Sequence, residues 1–191
     1  NGAKIAIAVV AVIAILAIGM IGWGVGQYNK TVTMDEGVKA QWAQVDNQLK
    51  RRYDLIPNLV ETVKGYATHE KQLFENIAEA RTKYFQAPTA TQKIQASNQL
   101  EGFLSRLLVL KETYPQLKAN ESFLKLQDSL EGTENRILRS RQQYNDAVRA
   151  YNAELGKIRG AVVNKATGQP FKPRVYFSAS TESQAPPKVT F

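Results

Sequence analysis

The sequence contains no cysteine and only one histidine in 191 residues. Without cysteine there is no disulfide, no thiolate catalysis and no cysteine-ligated zinc, although the compartment stays open. The lone histidine, His69, has Tyr66 rather than Glu three residues before it. The Glu-x-x-His pairs that build di-iron centres in helical bundles are therefore missing. There is no H-E-x-x-H, phosphate-cradling Gly-rich loop, G-x-S-x-G or EF-hand loop. A Ser-His-Asp site would have to use His69 at an expected helix break. The expectation is no catalytic set, no metal site and no cofactor: an interaction module, not an enzyme. Acidic residues are also scarce, 17 Asp and Glu against 25 Lys and Arg, for a net charge of +8. Such a balance suits an anionic lipid surface; nucleic acid is not expected for a tethered protein. The plainer alternative is a solvated basic surface.

Charge is absent altogether from residues 5–26. At 1.5 Å per residue this apolar run covers ~30 Å, the thickness of a bilayer core. A signal-peptide core would be shorter, and no small-x-small cleavage site follows. A buried core helix is a poor alternative, because so short a chain could hardly wrap it. Trp23 and Tyr28 suit an interfacial belt. Lys4 flanks one side, and Lys30 and Lys39 the other, so the Lys/Arg bias is nearly balanced; the expectation is a single span with the large domain outside the cytoplasm. The sequence opens on Asn1, and basic residues ahead of it would add to that side. Ala8, Ala11, Ala14 and Ala17 recur every three residues, and Gly22 and Gly26 form a G-x-x-x-G pair. Small residues let helices approach closely in lipid, although Ala and Gly are also common in spans generally.

Beyond a short polar link, the chain is organised around a helix from Met34 or Asp35 to Tyr66. Val38, Trp42, Val45, Leu49, Ile56, Leu59, Val63 and Tyr66 follow a heptad seam. Two residues break its rule: Arg52 occupies a seam position, and Pro57 removes an NH and clashes with the carbonyl of Tyr53, predicting a kink. Next to them Asp54 completes the Arg52, Tyr53, Asp54, Pro57 motif. A buried guanidinium needs a partner; Glu131 and Glu134 are the candidates, and the alternative is that Arg52 snorkels out at the kink. Gly65 predicts a break at residues 65–70. Leu73, Ile77, Ala80 and Tyr84 make a second amphipathic piece. Thr89 and Gln92 form a capping box for a third, with Leu100, Phe103, Leu107, Leu110 and Tyr114 on its seam and Pro115 closing it. Asn120 caps a last long helix, where Phe123, Leu130, Ile137, Tyr144 and Tyr151 recur every seven opposite the mostly small Leu126, Thr133, Ser140 and Ala147. Gly156 ends it.

These readings give an all-α protein: residues 1–30 an N-terminal transmembrane helix, 31–156 an antiparallel long-helix bundle, and 157–191 a short extended or β C-terminal arm. In the arm, residues 161–163 and 174–177 have β-like content, residues 164–168 read as a turn, and residues 189–191 are a third extended candidate. A small hairpin, an extended arm and a disordered tail all fit.

QLKRRYDLIPNLVETVKGYA (residues 48–67), LEGTENRILRSRQQYNDAVRAYN (residues 130–152) and the FKPRVYF…PPKVTF tail (residues 171–191) together resemble the LemA family of bacterial membrane-anchored helical proteins. The sequence departs from that pattern over residues 156–170 and in a less acidic tail. The resemblance implies a helical bundle on a bacterial cell membrane. It also implies a function of one of two kinds. LemA-like proteins are linked with magnetosome membranes, which fits a self-associating scaffold that organises or shapes the bilayer. They are also linked with HtpX-type proteases, which fits an adaptor for another membrane protein. An extracytoplasmic sensor or hydrolase is a third class.

Overall fold

In the computed structural model, which describes residues 2–178, the chain is all-α. Six helices follow in order: α1 (Gly2–Lys64), α2 (Lys71–Gln86), α3 (Ala90–Thr113), α4 (Pro115–Lys118), α5 (Glu121–Gly156) and α6 (Ile158–Ala166). There is no strand among the described residues. The described residues divide into two compact units: residues 2–40 with Asp146–Arg174, and Gln41–Asn145 with residues 175–178.

In the first unit the apolar run belongs to α1, and its large apolar side chains from Ile5 to Val25 are 51% to 71% exposed. A core helix would bury them, so a run long and apolar enough to cross a membrane is left largely uncovered by the described residues. The polar link expected after it does not exist, because α1 is unbroken from Gly2 to Lys64. The reason is that the seam itself continues backward in polar residues. Gln27, Thr31 and Asp35 stand four apart and are all buried. Thr31 Oγ1 donates to the Gln27 carbonyl at 3.0 Å, and Gln27 Nε2 and Asp35 reach side chains of the C-terminal region.

In the second unit, Val45, Leu49, Ile56, Leu59 and Val63 of the α1 seam are buried, as are Phe123, Leu130, Ile137 and Tyr144 of α5. Trp42 meets Tyr144 edge-on at 5.4 Å, Arg52 meets Glu134, and Tyr66 Oη accepts from Asn120 Nδ2. Along these pairs each step up α1 is matched by an equal step down α5, so the two helices run antiparallel without slip. Lys64 lies over the Phe74 ring while Tyr53 stacks on Tyr84, which makes α2 antiparallel to α1 as well. Lys93 binds Asp46 and Ser97 binds Arg52, so α3 runs parallel to α1.

The helix ends obey local chemistry. Lys64 ends α1 just before Gly65. Thr89 Oγ1 accepts from Gln92 N, and Asn120 Oδ1 accepts from Phe123 N at 2.9 Å. Pro115 does more than close α3: it opens the one-turn α4, where its fixed φ fits the first helical position. In α3 the buried face uses Ile94, Leu100, Leu104 and Leu107, with Phe103 and Leu110 only half-buried.

Two expectations for the C-terminal region need correction. Residues 161–163, with their β-branched valines, lie inside α6 rather than a strand. Gly160 and Val163, three apart, are its buried residues, and packing at that helical spacing outweighs β propensity. Residues 174–177 are extended but pair with no strand. Residues 189–191 lie outside the described residues.

Candidate functional site

Two polar centres are built into the helices, one in each unit. In the first unit, Glu154 on α5 is 2% exposed. Its carboxylate accepts from Gln27 Nε2 at 2.9 Å and pairs with Lys30 Nζ at 3.0 Å, Lys157 Nζ at 2.8 Å and Arg159 Nε at 3.3 Å. The bonds from Lys157, Gln27 and Lys30 outweigh burial and hold its pKa down at about 2. One anion thus collects three cations, each still about half exposed, immediately past the end of the apolar run. Nearby, Arg174 forks onto Asp35 Oδ1 at 3.0 and 2.7 Å, and Lys39 binds the other oxygen. Burial opposes ionisation of Asp35, but the bonds from Arg174 and Lys39 prevail and its pKa falls.

In the second unit, Arg52 is 2% exposed. Its guanidinium donates to Ser97 Oγ at 2.5 Å and to the Ser97 carbonyl at 3.3 Å on α3, and pairs with Glu134 Oε2 at 3.0 Å on α5. It therefore does not snorkel. Of the two candidate partners, Glu134 is the one that binds. Glu131, one turn earlier, lines the same cavity of about 300 Å³ with Glu101, Leu104, Leu108, Gln127 and Leu130. Tyr53 is fully buried against Tyr84, 4.1 Å away, and burial raises the pKa of both phenols. Tyr84 donates to Asp46 at 2.6 Å. Asp46 also holds Lys93 at 2.8 Å and Lys50 at 3.2 Å, and these bonds offset the effect of burial and lower its pKa. Asp54 and Pro57 are exposed on α1, which continues on both sides of the proline. Gly22, Gly26, Ala11 and Ala14 are exposed, and a methyl group added at either glycine would meet nothing within 4 Å. His69 sits exposed in the turn after α1. The described residues hold no group of three or more His, Cys, Asp or Glu placed to bind a metal.

Sequence reasoning missed a repeated clamp. Tyr-Asn occurs twice on α5, seven residues apart, at residues 144–145 and 151–152. In the first unit Tyr151 donates to the Lys172 carbonyl, while Asn152 both accepts from Arg174 N and donates to its carbonyl, each at 2.9 Å. In the second unit Tyr144 donates to the Val175 carbonyl, and Asn145 binds Phe177 N and O at 2.8 and 3.0 Å. A side-chain amide used in this way does for one residue what a neighbouring strand would do, so the extended segment needs no sheet. Phe177 is 2% exposed, with the Arg141 guanidinium 5.6 Å from its ring. The signal was the Tyr-Asn repeat itself, because a second polar residue beside a seam tyrosine has no role in a purely apolar core.

Several known proteins are similar to this chain in sequence. Magnetosome protein MamQ 2 of Paramagnetospirillum magneticum is 27% identical, over 84% of this chain and 68% of its own length. Magnetosome protein MamQ of Magnetospirillum gryphiswaldense is 25% identical with the same coverage. Protein LemA of Metamycoplasma hominis is 22% identical, over 69% of this chain and 60% of that protein. None of these names is that of an enzyme. The sequence pattern of the LemA family matches residues 41–191, which takes in α2 to α6, most of the α1 seam, Arg52 with Glu134, and both Tyr-Asn clamps. This chain is a member of the LemA family.

Proposed function

We infer that the protein is a single-pass, membrane-anchored scaffold that assembles with copies of itself and organises or shapes the bilayer without catalysis. Its bundle lies outside the cytoplasm. The observation that carries this reading is the largely exposed apolar run of α1, which is continuous with the helix that forms the bundle seam. An exposed apolar surface of that length is stable only in lipid or against another protein. Gly22 and Gly26, with Ala11 and Ala14, leave the span open to a second copy at close range. The basic balance favours anionic lipid. The relatives named as magnetosome proteins are consistent with work at a membrane. Self-association rests on the span rather than on the extended segment, because residues 172–177 are already clamped to their own chain.

Reconstitution into anionic liposomes tests this reading. The expected result is a change in vesicle size or shape by electron microscopy at high protein density. Pro57→Ala, which restores the helix bond that proline removes, should weaken that change more than it alters folding. Vesicles identical to protein-free controls would favour an adaptor for another membrane protein. Protease added to intact spheroplasts should digest the bundle, and protection until lysis would reverse the orientation.

A further inference from the structure

The last helix has an unusual surface for a globular protein. Ile158 is 85% exposed, the highest value of any large apolar residue described, and Val162 is 54% exposed. The opposite face, Gly160 and Val163, is buried. Together with the turn after it, the helix forms a closed finger. Gln169 N donates to the Asn164 carbonyl at 2.7 Å, and the Asn164 side chain binds both N and O of Phe171. Gly168 and Gln169 reverse the chain at φ +84° and +58°.

The direction of the finger is fixed at both ends. At its start, Lys157 and Arg159 are tied to Glu154, together with Gln27 and Lys30 past the end of the apolar run. At its far end, Val163, Ala166 and Thr167 line one groove with Ile21, Gly24, Val25 and Tyr28. Phe171 packs on Tyr28 at 5.3 Å as the chain returns. The finger therefore points back along α1 and reaches the level of Ile21, about 7 Å inside the apolar run that ends at Gly26, taking 1.5 Å per residue. Residues 155–178 carry Lys157, Arg159, Lys165, Lys172 and Arg174 and not one Asp or Glu.

We propose that α6 and its turn are a second membrane element, an amphipathic finger seated in the headgroup and upper acyl region beside the span. Ile158 and Val162 enter the acyl boundary, and Lys157, Arg159 and Lys165 hold anionic phospholipid headgroups. An amphipathic helix at the interface buries its apolar face 5–10 Å deep, and its binding rises with anionic lipid. The same exposure and charge in water would leave an apolar patch with no function. The inference rests on the span crossing a membrane, but not on any change in vesicle shape.

Because the chain has no cysteine, single-site labels can report depth. Val162→Cys, Val12→Cys in the span and Val109→Cys on the bundle are each labelled with an environment-sensitive fluorophore. The full chain is then reconstituted into phosphatidylcholine vesicles containing a lipid quencher in the upper acyl chain, with or without phosphatidylglycerol. Val162 is 54% exposed and Val109 62%, so the label disturbs little packing. The label at 162 should shift to the blue and lose most of its emission to the quencher, like that at 12 and unlike that at 109. Its quenching should deepen with phosphatidylglycerol. A label at 162 that matches 109 while 12 is quenched overturns the finger and leaves the anchor standing. Loss of quenching at both 12 and 162 overturns both. Equal quenching in the two lipid mixtures overturns the headgroup role of the lysines and arginine.

Discussion

Arg52→Ala should lower the unfolding free energy by about 3–4 kcal/mol, measured by urea unfolding in mild detergent with the helical circular dichroism signal as readout. Two losses combine. Removing a long, fully buried side chain leaves a cavity, and large-to-small core changes cost ~2–5 kcal/mol. Ser97 Oγ and the Ser97 carbonyl lose their donor at the same time, and hydrogen bonds to a charged group contribute ~1.5–3 kcal/mol. These terms overlap and do not add in full. The cost does not come from stranding Glu134. That side chain is 45% exposed, so water can solvate the carboxylate once the guanidinium is gone. Arg52→Met should fall between the Ala variant and wild type, because it keeps most of the volume and removes the desolvated charge while Ser97 Oγ still lacks its donor. An Arg52→Ala midpoint equal to wild type would remove the arginine from the stability of the bundle. A Met variant as damaged as the Ala variant would show that the charge, rather than the volume, holds the three helices.

Gly160→Ala should destabilise the C-terminal region by roughly 2–3 kcal/mol and speed tryptic cleavage after Arg159 and Lys165. On helix propensity alone the change should stabilise α6 by ~1 kcal/mol, so the sign of the result is decisive. A Cβ at Gly160 would lie 2.2 Å from the Glu154 carbonyl oxygen, 3.2 Å from its carbon and 3.3 Å from the Leu155 Cα. All three obstacles are backbone, so no rotamer change relieves them. Overpacking costs ~1–3 kcal/mol where side chains can yield, and this site belongs at the top of that range. Either α6 lifts away or the last turn of α5 deforms, and that turn presents the Glu154 carboxylate to Gln27, Lys30, Lys157 and Arg159. Equal or greater stability in the alanine variant would mean that α6 is not docked on α5 as described.

By itself the sequence determined the all-α class, the apolar run, the α1 and α5 seams, the caps at Thr89 and Asn120, and the break at Gly65. Each of these follows from local sterics or from the 3.5-residue period, which a linear chain displays directly. It also placed Arg52 on the seam, left open whether it is buried or snorkels out, and narrowed a buried partner to Glu131 or Glu134. Only the tertiary structure chose Glu134, because the two glutamates differ by rotation about α5, and only the packed helices fix which of them meets Arg52. Tertiary structure likewise made Gln27, Thr31 and Asp35 part of a continuous helix. In isolation those polar residues read as a link, and their burial is tolerable only because Glu154, the Gln27 carbonyl and Arg174 satisfy them. The helix at residues 158–166 was hidden for the same reason. Its valines favour strand locally, whereas the close approach at Gly160 and the groove beside Ile21 and Val25 are relations between residues distant in sequence, which no local preference encodes.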